Sequence, residues 1–368
     1  MKKERIVVGL SGGVDSSVAA YILKEEGYDV IGITLKVWLG DCSETGEHSC
    51  CGPRAVEDAR AVAYQLGIPY YVIDHKELFQ KSVVDYFAEE YAAGHTPNPC
   101  VVCNKKIKFG SLLDFVHQLG ASKLATGHYA KVSFENGQYV LRKARDPKKD
   151  QSYFLYTLSQ EKLSRVMFPL GEMQKMDVRE IAKQASLEVF DKEDSVGICF
   201  VPDGKYVNFL KATVPEQFKK GVIKNVQGDI LGEHDGIQNF TIGQRKGMGF
   251  AAGKPKYVVH VDGSTQTVVV GDEEDLLLSE CFTHSTHWIS PELPQNEFEC
   301  MVKVRYSHKG ALAKVKWMGD GFSKISFLSP ERAVTSGQAA VFYDGDRVLG
   351  GGFIKLQMGE ASFSLKGC

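Results

Sequence analysis

A chain of 368 residues, 43% hydrophobic and 24% charged, is long enough for two or three domains with a sizeable core. A formal charge of −2 excludes a protein that holds nucleic acid through its global field, so any such partner must be met by a local basic patch. No apolar run is long enough to cross a bilayer, and Met-Lys-Lys-Glu-Arg leads directly into a strand with no signal peptide. With nine cysteines, an odd number, these features predict a cytoplasmic protein that has no membrane partner and uses some thiols for catalysis or metal binding.

The apolar run Ile6-Val7-Val8-Gly9-Leu10 reads as a parallel strand buried on both faces. Behind it stands Ser11-Gly12-Gly13-Val14-Asp15-Ser16, and Val14, Val18 and Ile22 then recur at helical spacing until Gly27. A strand, a glycine-rich turn and a helix N-terminus suit an anion. The glycines admit a ligand close to the backbone, and the N–H groups and helix dipole favour negative charge. Ser11 and Ser16 add hydroxyl donors, and Asp15 could hold a magnesium ion bridging phosphates. The turn is neither a Walker loop nor the Rossmann glycine pattern, and by itself it also fits a serine-capped turn without a ligand.

Further strands are predicted at 30–35, 69–73 and 123–128, and helices at 53–66, through Phe79, Val83, Phe87 and Tyr91, and at 111–119. The alternation predicts an α/β fold with a doubly wound parallel sheet, its ligand beyond the carboxyl ends of the strands. The hexad, Leu35 and Gly127-His128 all fall at such ends. From about residue 206 the pattern changes to short alternating strands, such as Tyr257-Val258-Val259-His260-Val261 and Thr267-Val268-Val269-Val270. The chain is thus expected to divide into a catalytic domain at 1–205, a small β-rich domain at 206–283 and a C-terminal β-barrel at 284–368. The helical segment at 176–187 could pack with either of the first two.

Three cysteines stand out. Cys100 and Cys103 lie in Thr96-Pro97-Asn98-Pro99-Cys100-Val101-Val102-Cys103, a proline-stiffened turn that enters the basic run Lys105, Lys106 and Lys108. Cationic neighbours and a helix start would lower a thiol pKa there. Cys199, in Gly197-Ile198-Cys199-Phe200, follows the charged Asp191-Lys192-Glu193-Asp194 and alone would read as structural. Cys42, His48, Cys50 and Cys51 are of types that bind zinc, although adjacent cysteines rarely share one tetrahedral ion. Cys281, Cys300 and Cys368 carry no partner pattern. In the barrel region, Lys303 and Arg305 alternate with Val302, Val304 and Tyr306, and Lys314 and Lys316 with Val315 and Trp317. If those strands pair, the cations predict a basic stripe suited to phosphates, joined by Lys148, Lys149 and Gln244-Arg245-Lys246.

The hexad resembles the pyrophosphate loop of the ATP pyrophosphatase superfamily. With Thr96-Pro97-Asn98-Pro99 and Gly197-Ile198-Cys199-Phe200, the chain resembles the bacterial tRNA-specific 2-thiouridylases. Thr126-Gly127-His128-Tyr129-Ala130, Lys149-Asp150-Gln151-Ser152-Tyr153-Phe154, Phe168-Pro169-Leu170-Gly171, Thr241-Ile242-Gly243-Gln244-Arg245-Lys246-Gly247 and Ser336-Gly337-Gln338-Ala339 agree in the same order. The resemblance implies adenylation of O2 of a wobble uridine by ATP with Mg2+, then sulfur transfer to C2 with release of AMP and pyrophosphate. It implies ATP contact by Gly9, Leu10, Ser11, Gly12, Gly13, Val14, Asp15, Ser16, Leu35 and Gly127. Cys199 matches the persulfide carrier, and Cys103 its nucleophilic partner, which would release the sulfur by forming a Cys103–Cys199 disulfide. tRNA contact is implied for His128, Lys149, Asp150, Gln151, Arg305, Tyr306 and Gln338, with Asn98, Pro99 and Cys100 near the target base. A cysteine desulfurase or a sulfur-relay protein would supply the sulfur.

One departure matters. Cys100 stands where better-known relatives have an aspartate, the proposed general acid/base. Cys100, Cys103 and Cys199 could instead hold a [4Fe–4S] cluster with one open iron, as in related tRNA thiolases, since soft thiolates suit it. A neutral change at Cys100 fits the sequence equally well. Two other functions share some of these features. An amidating or ligating ATP pyrophosphatase acting on a small molecule would need neither Cys103, Cys199 nor a basic barrel. A non-catalytic tRNA-binding module would need neither the complete hexad nor the two cysteines.

Overall fold

The computed structural model describes residues 3–37, 52–194, 197–201, 204–249, 254–291 and 295–356. The zinc candidates Cys42, His48, Cys50 and Cys51, and also Cys368, lie outside the described residues. The chain divides into two compact units, one of residues 1–84, 99–206 and 346–348, the other of 85–98, 207–345 and 349–368.

The order begins β1 (Arg5–Gly9), α1 (Val14–Glu25), β2 (Asp29–Lys36), α2 (Pro53–Gln65), β3 (Tyr70–Asp74) and α3 (Lys76–Phe79). A wide helical turn at Gln80–Val84 precedes α4 (Asp85–Ala92), which is counted in the second unit. Next come α5 (Pro99–Cys103), a second wide turn at Asn104–Leu112, α6 (Leu113–Gln118) and β4 (Lys123–Thr126). The hairpin β5 (Ala130–Glu135) and β6 (Gln138–Lys143), α7 (Gln160–Ser164), β7 (Val166–Met167) and α8 (Lys175–Gln184) complete the first unit's elements. Its five-stranded sheet, in the order β3-β2-β1-β4-β7, is parallel throughout.

The unbroken apolar run of β1 finds its reason in this sheet. Ile6 and Val8 join Val18 and Leu23 of α1, Ala59 and Val62 of α2, and Val178 and Ala182 of α8 in one core. Val7 lies between them on the opposite pleat and is fully buried as well, so both faces are covered. Segment 176–187 packs with the first unit, because Val178, Ala182 and Leu187 belong to this core. The β5–β6 hairpin was not anticipated, although its signal was present. Asn136 and Gly137 both have positive φ, the two-residue turn that Asn-Gly favours.

In the second unit, after α9 (Tyr206–Thr213), β8 (Gly221–Asn225), β9 (Ile230–His234), β10 (Tyr257–Asp262) and β11 (Thr267–Gly271) form a sheet in the order β10-β11-β8-β9. Its β11–β8 pair is parallel and the others antiparallel. The six strands β12 (Leu277–Trp288), β13 (Glu297–Lys303), β14 (Ala311–Gly319), β15 (Phe322–Arg332), β16 (Ala339–Asp344) and β17 (Arg347–Lys355) run in the order β12-β15-β14-β13-β16-β17. Pairing of β17 with β12 closes them into a barrel. Val302, Ala313, Val315, Ile325 and Phe342 fill its interior. Cys281 and Cys300 lie there too, and burial pushes the Cys300 thiol up to about 12, so both are structural.

Candidate functional site

The glycine turn lies at the carboxyl end of β1, at the centre of the sheet. Leu10 N donates to Ile33 O (2.8 Å), and Thr34 Oγ1 donates to Leu10 O (2.7 Å), which locks the end of the strand. Gly12 has φ +68°, and a Cβ there would meet Ala55 O at 2.2 Å, so only glycine fits this turn against α2. Ser16 Oγ accepts from Ser11 N (3.1 Å) and donates to Gly13 O (3.2 Å), which folds the loop over the first turn of α1. Gly127 comes against the same turn, where a Cβ would lie 2.7 Å from Ser16 N. The structure thus brings together Gly9 through Ser16 with Gly127. Leu35 sits near the end of the adjacent strand β2.

A charged network not expected from the sequence surrounds Asp15. Its Oδ1 accepts from Tyr129 OH and from Lys175 Nζ, both at 2.7 Å. Lys175, nearly buried, also pairs with Asp194 Oδ1 at 2.7 Å. Asp194 takes two more cations, Lys149 Nζ at 2.6 Å and Arg179 at 3.0 Å. Burial alone would raise the Asp194 carboxyl, but hydrogen bonds from Lys149 and Lys175 hold it down at about 2. Burial and the Asp15 carboxylate push the Tyr129 hydroxyl well above its ordinary range, so it stays a donor. Lys192 Nζ binds Gly12 O (2.9 Å) and the Asp58 carboxylate. Four cations therefore gather beside an anion-binding loop, each balanced by a carboxylate or a carbonyl. Both bonds to Asp15 fall on Oδ1, so its second oxygen suits a magnesium ion.

The thiols lie on two segments. Pro99 opens α5, where its missing N–H costs nothing, and Val101 and Val102 bury one side. Cys100 and Cys103, three residues apart on that turn, are each partly exposed. Asn104 beside them is buried and donates to Phe154 O (3.3 Å). Burial lowers the pKa of Lys105, and Lys106 and Lys162 lower it further. Cys199, also partly exposed, sits between Gly197, at φ +85°, and Phe200, whose ring meets Phe79 edge-on at 5.6 Å. Among the described residues no three Cys, His, Asp or Glu side chains are gathered so as to hold a metal ion. The expectation of a [4Fe–4S] cluster on Cys100, Cys103 and Cys199 therefore finds no support in this arrangement.

The residues expected to meet RNA differ in what they can offer. His128 is buried, with Nδ1 2.7 Å from Thr126 Oγ1 and its ring against Phe109 and Phe168. Burial, then the nearby Lys108, lowers its pKa far below the usual value, so it is neutral. Asp150 is buried and accepts from Ala144 N, Ser152 N and Ser152 Oγ. Gln151 Oε1 accepts from Tyr129 N (2.9 Å). Lys149, on the same turn, is partly exposed and paired with Asp194. In the second unit Arg305 donates to Arg332 O (3.3 Å), and Lys303 lies over the exposed Tyr306 ring. Gln338 Nε2 donates to Thr96 O (3.0 Å) and Pro97 O (3.3 Å).

The basic stripe is not as expected. Lys314 and Lys316 do point outward from β14, but their neighbours on β13 are Glu299 and Glu297. Lys314 Nζ lies 3.9 Å from Glu299, and Lys324, beside Lys316 on β15, pairs with Glu280 at 2.7 Å. Each of these lysines thus has a carboxylate on a neighbouring strand, and the face is mixed in sign.

A parallel sheet that presents a glycine turn and a helix N-terminus at its carboxyl edge defines a nucleotide-binding α/β domain. Comparison with known proteins agrees. Residues 4–203 match the family model described as a tRNA methyl transferase HUP domain. Residues 207–272 match a tRNA methyl transferase PRC-barrel domain, and 278–354 an aminomethyltransferase beta-barrel domain. The tRNA-specific 2-thiouridylase MnmA of Clostridium acetobutylicum is 47% identical over 353 residues, 96% of this chain and 99% of that protein. MnmA 1 of Caldanaerobacter subterraneus subsp. tengcongensis is 46% identical over 95% of this chain and 98% of its own length. MnmA of Clostridioides difficile is 45% identical over 96% and 98%. The chain belongs to the tRNA-specific 2-thiouridylase family.

Proposed function

We propose that this protein catalyses the ATP-dependent 2-thiolation of the wobble uridine of tRNA. The observation that carries the reading is the joint placement of the parts. The serine-glycine loop, Cys100, Cys103 and Cys199 all belong to one compact unit, within a chain related over nearly its whole length to 2-thiouridylases. ATP would bind with its phosphates on the loop N–H groups and the hydroxyls of Ser11 and Ser16. Lys175 and Lys192, bonded to Asp15 and to Gly12 O of the loop, would help to balance the added negative charge. A magnesium ion held by Asp15 would neutralise the phosphates.

The chemistry follows from a poor leaving group. Uridine O2 attacks the α-phosphate, pyrophosphate departs, and C2 then carries an AMP that can leave. The terminal sulfur of a Cys199 persulfide, having lost its proton, attacks C2 and expels AMP. Cys103, as thiolate, next attacks the Cys199 sulfur. The Cys199–sulfur bond breaks, its electron pair stays with the sulfur on C2 as the thiocarbonyl, and a Cys103–Cys199 disulfide forms. An external thiol reductant must supply two electrons to reset that disulfide, and a persulfide-carrying protein must reload Cys199. Cys100 adjoins the nucleophile at the position of the family acid/base. tRNA contact would fall to Lys149, Arg305, Tyr306 and the Asn98–Cys100 turn. Because Asp150, Gln151 and His128 are occupied within the protein, they would shape the first unit's surface rather than bind phosphate.

The test is AMP release from ATP with and without unmodified tRNA and a sulfur donor, with 2-thiouridine read by nucleoside mass spectrometry. AMP and 2-thiouridine that appear only with tRNA are expected. AMP formed with a small amine acceptor and no tRNA would overturn the reading in favour of a ligase.

A further inference from the structure

The turn at residues 336–338, between β15 and β16, grips the chain just ahead of the thiol-bearing helix. Gln338 Nε2 has two N–H groups and gives them to the carbonyls of Thr96 (3.0 Å) and Pro97 (3.3 Å). Thr96 N donates back to Ser336 O at 2.9 Å. Gly337, at φ +87°, approaches so closely that a Cβ would lie 3.0 Å from Thr96 O and 3.1 Å from His95 Cβ. The turn is itself fixed to the barrel, by Gly337 N to Ile354 O (3.1 Å) and Ile354 N to Gln338 O (2.7 Å). Both sides of the grip are therefore anchored.

The segment after Thr96 has little freedom to absorb a displacement. Pro97 and Pro99 each fix their own φ, and each confines the preceding residue, Thr96 and Asn98, to extended backbone. The chain from Thr96 to Pro99 is thus a stiff tether of four residues, and Pro99 is the first residue of α5. Cys100 comes next and Cys103 closes that turn. Movement of the Thr96 and Pro97 carbonyls would be passed along the tether to the thiols.

We propose that Gln338 is a positioning residue for Cys103: it sets where the thiol-bearing turn begins by holding the two carbonyls of its proline tether. The role rests on the reading of Cys103 as the nucleophile. It goes beyond RNA contact, because both side-chain N–H groups of Gln338 are already committed within the protein.

The test uses full-length protein and three variants: Gln338→Glu, which keeps the shape and loses the donor; Gln338→Leu; and Gln338→His, which keeps one N–H at the same reach. The first arm omits tRNA and ATP. It measures iodoacetamide alkylation of Cys103 by peptide-resolved mass spectrometry, and amide exchange over residues 95–105. In Gln338→Glu and Gln338→Leu both are expected to change by about fivefold, the worth of a lost side-chain hydrogen bond, with partial return in Gln338→His. In the second arm kcat for thiolation should fall while KM for tRNA holds. Exchange protection of β13–β16 identifies any variant whose barrel has unfolded, and Gln338→His then carries the comparison. Unchanged Cys103 alkylation and exchange together with weaker tRNA binding would overturn the proposal, leaving an RNA contact only. If wild-type protein makes no 2-thiouridine, the thiolase reading fails, while the first arm still decides the role of Gln338.

Discussion

The phosphate loop and the outer face of the barrel both carried a readable signal, and they fared differently. In the loop, the groups that matter lie within eight residues of one another, from Gly9 to Ser16, and their geometry is set by a glycine at φ +68° and two serines bonded within the turn. The four cations of the barrel strands were just as visible, but the field they make depends on what lies across the ladder. Register puts Glu297 opposite Lys316 and Glu299 opposite Lys314. A local motif brings its own partners, whereas a surface charge takes its meaning from strands elsewhere in the chain.

Removing the chemistry that the loop serves should have the largest effect. Cys103→Ser and Cys199→Ser are each expected to lower 2-thiouridine formation by more than about a thousandfold, the order that follows loss of a covalent nucleophile. AMP formation with tRNA should persist in both, so parallel nucleoside and nucleotide assays separate sulfur transfer from adenylation. Gly127→Ala comes next. Its Cβ would stand 2.7 Å from Ser16 N and push the loop aside. A fall of about a hundredfold in kcat/KM for ATP is expected, because a displacement near 1 Å is enough to do this.

Lys175→Met probes the loop's support, since this lysine holds the loop's Asp15 and Asp194 together. Loss of the shared cation should destabilise the protein by about 2 kcal/mol, below the range for fully buried pairs because both carboxylates are about one-third exposed. The pH dependence has a definite sign. The Asp194 carboxyl sits at about 2 in the folded protein against an ordinary 3.8. Its contribution is therefore full above 3.8 and is lost as pH falls through about 2. In Lys175→Met the acid-unfolding midpoint should move upward, measured by circular dichroism across that window. His128 runs the other way: its lowered pKa favours the neutral ring, whose contribution is present at neutral pH and lost on acidification. Its imidazole signal in an NMR titration should stay that of the neutral form from about pH 8 to 6. The smallest effect belongs to the barrel face. Lys314→Gln with Lys316→Gln should change tRNA affinity by less than about twofold and leave the salt slope nearly untouched, because these lysines already face carboxylates.

Legibility in the sequence divides in the same way. The parallel sheet was legible because β1 is apolar without alternation, as a strand covered on both faces must be. The loop was legible because it is local. The hairpin at Asn136-Gly137 was open to detection from its turn residues and was missed. Lys175 was out of reach, since 160 residues separate it from Asp15 and nothing in its own helix marks it as a partner. The parallel pairing of β8 with β11 and the charge pattern across β13 and β14 share that difficulty, because a strand's sequence does not name its neighbour. The thiols fall between these cases. Cys100, Cys103 and Cys199 stood out as residues, but the spacing Cys-x-x-Cys plus one distant cysteine could not say whether three thiolates would gather, and among the described residues no metal-holding group of three such side chains is found.

Sulfur transfer here turns on a relay between Cys199 and Cys103. It is tested most directly in a single anaerobic turnover of iron-free protein, carrying persulfide on Cys199, with ATP and unmodified tRNA. The products are then mapped by peptide and nucleoside mass spectrometry. One Cys103–Cys199 disulfide for each 2-thiouridine formed is the expected result. Product formed with both thiols still reduced, or formed only after an iron–sulfur cluster is rebuilt, would contradict the account.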